Sequence, residues 1–136
     1  MREILFRGKR KDYDNEWVYG LPCYNIYKEL CIQPTDELPC CVILPETVGQ
    51  DTGLTDKLGE RIFEGDIVAG AVCWQERPKN GIAAFREGSF GLLWYRGDNE
   101  QFNAFTSMCN IEYKVIGNMH DNPELLKGGD DRWSHY

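Results

Sequence analysis

The stretch from Gln50 to Val68 constrains what this chain can fold into more than any other. It contains Thr55-Asp56-Lys57-Leu58-Gly59, with an Asp at the start of a turn and a Gly at its end. An Asp there can bond the backbone two residues on, and a Gly takes positive φ without a Cβ clash. Leu54 before the turn and Ile62 and Phe63 after it predict a hairpin with a four- or five-residue loop. Glu64-Gly65-Asp66 makes a second corner, and Ile67-Val68 opens the next strand. Chains that turn this often build a small antiparallel barrel or sandwich. The expected fold is therefore mainly β, with many short strands and one or two short helices.

The rest of the chain punctuates in the same way. Glu3 to Gly8 and Glu16 to Gly20 read as paired strands around a turn at Asp12 to Asn15, giving an opening hairpin over residues 3–20. Leu21-Pro22 should end it, because Pro lacks the N–H that a central ladder needs. Tyr24 to Tyr27 and Cys31 to Gln33 read as short strands, Pro34 to Pro39 as a loop, and Cys40 to Leu44 as a buried strand closed by Pro45. Ile67 to Gln75 is the longest apolar strand candidate, broken at Arg77 to Gly81, where Asn-Gly is a turn signal. Ile82 to Arg86 and Phe90 to Arg96 follow, joined at Glu87-Gly88-Ser89. Phe102, Phe105 and Cys109 recur at helical spacing behind Asp98, a potential cap with Gln101 three residues on, so a short helix is expected from Asn99 to Cys109. Tyr113 to Gly117 is a strand. Asn122 to Gly128 reads as a one-turn helix with Asn as N-cap and Pro first. Residues 1–128 make one compact β unit, divisible into lobes of about 1–47 and 48–128, and 129–136 form a mobile polar tail.

Composition excludes several classes. The chain has 136 residues and a formal net charge of −7. That charge opposes binding to a phosphate backbone, and it argues against nucleic acid as a partner. The basic run Arg7 to Lys11 is best read as a solvated hairpin tip. No apolar run is long enough to span a bilayer, and the charged Met1 to Arg7 is not a signal peptide, so a cytoplasmic location is expected. The six cysteines, Cys23, Cys31, Cys40, Cys41, Cys73 and Cys109, lack zinc-knuckle spacing. In a reducing compartment they read as small buried apolar residues, with the adjacent Cys40 and Cys41 facing opposite ways. No metal and no cofactor is expected.

Four segments together resemble the YopX family of phage and prophage proteins. They are Ile4 to Gly8 with Trp17 to Gly20, Gly49 to Val68, Tyr113 to Asn118, and Asn122 to Leu126. The central match runs unbroken from Thr52 to Val68, while Asp51 stands where the family commonly has an aromatic residue. On this resemblance Thr52, Gly53, Asp56, Gly59, Glu64, Gly65, Asp66, Gly117 and Asn118 are motif positions. It implies a mostly β protein encoded by a phage or prophage, acting in a bacterial cytoplasm, with no activity attached.

Three functions are weighed. Glu64 and Asp66 flank one Gly, and residues two apart on a strand share a face. With Asp51, His120 and Asp121 they could hold a divalent cation for hydrolysis. Against that, Asp56 and Asp66 serve equally well as turn caps, and no catalytic signature is present. Aromatics on strands, Trp74, Trp94, Tyr95, Phe85 and Phe90, could stack bases, but core or subunit contact is the commoner use. The favoured reading is a non-enzymatic phage accessory protein that self-associates and binds a host or phage protein partner. Trp17, Trp74, Trp94 and Tyr95 are its interface candidates, with the opening hairpin as the contact element.

Overall fold

The computed structural model of the protein describes residues 3–12, 16–35, 39–70, 79–105 and 113–126. Trp74, Cys73, Cys109 and the expected tail lie outside the described residues. The chain is mainly β and forms two antiparallel sheets. It divides into two compact units, Met1–Gly53 and Leu54–Tyr136. Among the described residues, no helix is long and apolar enough to cross a membrane.

The first unit holds β1 (Phe6–Lys9), β2 (Trp17–Tyr24), β3 (Leu30–Pro34), β4 (Cys41–Val42), a 3-10 turn at Pro45–Thr47, and the start of β5 (Gly49–Thr55). These strands lie in the order β4-β3-β2-β1-β5. Phe6 pairs with Gly20 and Lys9 with Trp17, so the opening hairpin forms as its alternation predicts. Val18, Ile32 and Ile43 make the core, with Phe6, Leu30 and Val48 packed against them. The apolar run Cys40 to Leu44 yields only the two residues of β4, and Ile43 reaches Arg10 through an isolated bridge.

Three expectations in this unit are corrected. Leu21-Pro22 does not end β2, which continues to Tyr24 with Pro22 opposite Ile32. Beyond Gly20 the strand has no β1 partner, so Pro22 lies where β2 is an edge strand and a missing N–H is tolerated. Tyr24 to Tyr27 is not a strand, because β2 stops at Tyr24 and Asn25 starts a turn. The thiols are not uniformly buried: Cys31 is, Cys23 and Cys41 are half-buried, and Cys40 is exposed.

In the second unit, β5 reverses through Asp56–Glu60 into β6 (Arg61–Phe63). Then follow β7 (Asp66–Gly70), β8 (Lys79–Arg86), β9 (Ser89–Arg96), β10 (Asn99–Ala104), β11 (Lys114–Asn118) and a 3-10 turn at Pro123–Leu126. The sheet order is β10-β9-β8-β7-β11. Ile67, Ile82 and Leu93 align across three central strands and are fully buried. Their neighbours Val68, Ala83 and Leu92 join Ile62, Trp94 and Phe105 in the core. Adjacent strand residues face opposite ways, so this sheet is buried on both faces. Arg86 pairs with Ser89, and Glu87 and Gly88 between them have φ of 50° and 82°. Positive φ at both central residues is the type I′ geometry that suits twisted hairpins.

The expected helix from Asn99 to Cys109 is overturned as far as Ala104, and residues 106–109 lie outside the described ones. Asn99 to Ala104 is β10, paired with β9 from Asn99↔Arg96 to Ala104↔Gly91. Gly97, with φ of 60°, and Asp98 make a two-residue reversal, and the long partner strand overrides the three-and-four spacing. The Asn80-Gly81 turn is also overturned: both residues lie inside β8, opposite Ala69 and Val68. Gly is needed there for packing. A Cβ on Gly81 would sit 2.6 Å from the Leu93 carbonyl oxygen and 2.7 Å from Leu92 Cδ1.

Candidate functional site

Asp56 closes the turn that its position predicts, and it also reaches beyond it. It is buried. Its Oδ1 accepts the N–H groups of Leu58 at 2.8 Å and Glu60 at 2.9 Å. Its own N–H donates to the Glu60 carbonyl, and the Gly59 N–H donates to the Asp56 carbonyl. The second carboxylate oxygen accepts the Val115 N–H from β11 at 3.0 Å. Burial by itself would raise the carboxyl pKa. The N–H groups of Val115, Glu60 and Leu58, with the Lys114 charge, outweigh it and hold Asp56 below the usual carboxylate range.

The other acids are used locally too. Asp51 is buried, and its Oδ1 accepts the Gly53 N–H at 2.9 Å. Asp66 is buried, and its Oδ2 accepts the Phe63 N–H at 2.8 Å. Glu64 and Asp66 are not two steps along one strand, because Glu64 and Gly65 form the turn between β6 and β7 and Gly65 has φ of 90°. Gly65 anchors this corner through its N–H to Ala83 and its carbonyl to the Met119 N–H. Asn118 Oδ1 accepts the N–H groups of His120 and Asp121, and Asn118 Nδ2 donates to Asp121 Oδ2. Gly117 lies under Asn122, whose Oδ1 a Cβ would approach to 2.6 Å. Among the described residues, no group of three or more His, Cys, Asp or Glu side chains is placed to hold a metal ion. The motif Thr52 to Val68, with Gly117 and Asn118, is thus a set of corners closed by side-chain-to-backbone bonds.

The aromatic candidates separate by position. Trp94 is core, and its Nε1–H donates to Asn103 Oδ1 at 2.7 Å. Tyr95, next to it, is half-buried. Phe85 is half-exposed and meets Phe90 edge-on at 5.0 Å. Trp17 is half-buried, with the Arg7 guanidinium 4.6 Å and Lys9 Nζ 5.5 Å from its ring centroid. The basic run is therefore not a solvated tip. Arg7 and Lys9 are buried on β1, and Arg10 and Lys11 face Glu16 and Glu29 at 3.5 and 3.6 Å. Alternation places Arg7 and Lys9 on one face of the strand, where the Trp ring can cover both.

A surface that sequence reasoning missed lies at the β2–β3 turn. Tyr24, Ile26 and Tyr27 are 71%, 88% and 76% exposed. The loop that carries them is well tied. Asn25 Oδ1 accepts the N–H groups of Tyr27 and Glu29, each at 2.9 Å, and Asn25 Nδ2 donates to Glu29 Oε1 at 3.1 Å. The Asn25 N–H donates to the Glu29 carbonyl, and Lys28 takes a φ of 65°. Beside the loop is a groove of about 300 Å³, lined by the apolar Leu30, Val42, Leu44 and Pro45 and the charged Lys11, Lys28 and Glu29. The available signal was Asn25, because an Asn side chain can bond the backbone two residues on and close a turn.

No relative among the curated proteins matches this chain. Two solved structures share its fold. Protein EF1440 from Enterococcus faecalis is 24% identical with a TM-score of 0.58, over 93% of this chain and 100% of that one. Protein yopX from Bacillus subtilis is 19% identical with a TM-score of 0.58, again over 93% of this chain and 100% of that one. The family model described as YopX protein matches residues 5–127, which takes in every one of the motif corners. This chain belongs to the YopX family.

Proposed function

We propose that this is a non-enzymatic phage or prophage accessory protein of the bacterial cytoplasm that self-associates and binds a protein partner. The β2–β3 turn supplies the contact surface. The observation that carries this reading is the exposure of Tyr24, Ile26 and Tyr27 on a loop held by its own hydrogen bonds. Exposed apolar side chains gain by burial, and an already ordered loop loses little entropy when it binds. The acids of the motif, by contrast, accept backbone N–H groups, which suits corners better than chemistry.

Self-association draws on the same surface. It joins a protruding apolar knob, Ile26 and Tyr27, to the adjacent groove. In a two-fold pair the same patch meets itself, so the knob of each copy can enter the groove of the other. Light scattering after size exclusion should give a multiple of 15.7 kDa at micromolar concentration. Ile26→Asp with Tyr27→Ser should return the monomer mass and leave a cooperatively folded chain whose melting temperature no longer depends on concentration, since both side chains project from the fold. A wild-type monomer at every concentration would sink the self-association.

A further inference from the structure

The β2–β4 region brings thiols together that sequence separation hides. Cys23, on β2, faces Cys31 across the ladder, and Cys31 in turn faces Val42 on β4. Cys40 stands two residues before Val42 and so returns to the same face, while Cys41 looks the other way into the core. The Sγ atoms of Cys23 and Cys40 are 3.1 Å apart. Cys40 is exposed and Cys23 half-buried, so a small reagent can reach the pair from solvent.

We propose that Cys23 and Cys40 are a reversible disulfide site, closed by exchange with a low-molecular-weight disulfide, RSSR. The Cys40 thiolate attacks one sulfur of RSSR, forming Cys40–S–SR and releasing RS⁻. The Cys23 thiolate then attacks the Cys40 sulfur, forming the Cys23–Cys40 bond and releasing a second RS⁻. Two protein thiols are oxidised, RSSR is reduced to two RSH, and the two thiol protons end on the released sulfurs. Solvent access assigns the first attack to Cys40. The hydrogen bond with Cys40, then burial, then the Cys40 charge push the Cys23 thiol up. The closed bond spans β3 and ties the start of β4 to the end of β2. A short edge strand is held in this way against peeling from the sheet.

The test treats the reduced full-length protein with oxidised glutathione, quenches free thiols with an alkylating reagent, and maps the peptides without reduction. The expected dominant product is a Cys23–Cys40 linked peptide, lost on adding dithiothreitol and still formed in Cys31→Ser. In Cys23→Ser with Cys31→Ser, Cys40 should instead retain glutathione, because the two thiols that face it across the ladder are gone. A wild-type map in which Cys40 stays reduced would overturn the proposal. So would one in which it links mainly to Cys31, Cys41, Cys73 or Cys109.

Discussion

Asp56 and Val115 lie 59 residues apart in the chain, yet the Asp56 carboxylate accepts the Val115 N–H at 3.0 Å. One side chain thus closes the β5–β6 turn and fastens it to β11, and the Lys57 N–H adds a bond to the Tyr113 carbonyl. The central motif and the closing Tyr113 to Asn118 segment meet at this carboxylate.

Asp56→Ala should cost about 2–3 kcal/mol in urea unfolding at neutral pH, because three backbone N–H groups lose a charged acceptor. The pH dependence follows from the depressed folded-state pKa. The carboxylate's stabilisation is fully present above the unfolded value of 3.8 and is lost as pH falls through the folded value. The gap between wild type and Asp56→Asn should therefore narrow below about pH 4. A gap that stays constant down to acid unfolding would count against this assignment.

Two glycines should respond differently to Ala. Gly59 has φ of +84° and open space around its would-be Cβ. Gly59→Ala should cost about 1 kcal/mol, from backbone strain alone. Gly81→Ala meets the Leu93 carbonyl oxygen and Leu92 in the sheet, and should cost about 2–3 kcal/mol. Midpoints of urea unfolding at constant slope will rank them. The reverse order would contradict both the turn role of Gly59 and the packing role of Gly81.

Trp94 and Asn103 pair diagonally across β9 and β10. Asn103→Ala removes that acceptor from a largely buried indole and should cost about 1–2 kcal/mol. Asn103→Asp keeps an oxygen in place and should lose less at neutral pH. Equal melting temperatures for Asn103→Ala and wild type would mean the bond contributes nothing.

Tyr113 packs edge-on against Phe105 at 5.3 Å, and burial raises its phenol to about 12. Its contribution to stability is complete below the unfolded value of 10.0 and is lost as pH rises through the folded one. Tyrosinate absorbance should show one late-titrating ring that disappears in Tyr113→Phe. A wild-type titration with no such delayed ring would place Tyr113 in water.

Much of this fold was legible in the sequence, where short-range chemistry decides the outcome. Asp56 and Gly59 specify their turn because the bonds they make lie within four residues. Glu87-Gly88 and the alternation around Val18 are local in the same sense. By itself the sequence therefore determined the mainly β class, the opening hairpin, the turns at Asp56–Gly59 and Glu87-Gly88, and the family. The tertiary structure alone decided Phe102 and Asn80-Gly81, whose local signals point to helix and turn but whose strands are fixed by partners on β9 and β7. It alone brought the Val115 N–H to the Asp56 carboxylate and set the Cys23 and Cys40 sulfurs 3.1 Å apart. The physical reason is that a carboxylate or a thiol takes its role from the N–H group, charge or sulfur that the fold delivers beside it. Spacing along the chain does not encode that neighbour.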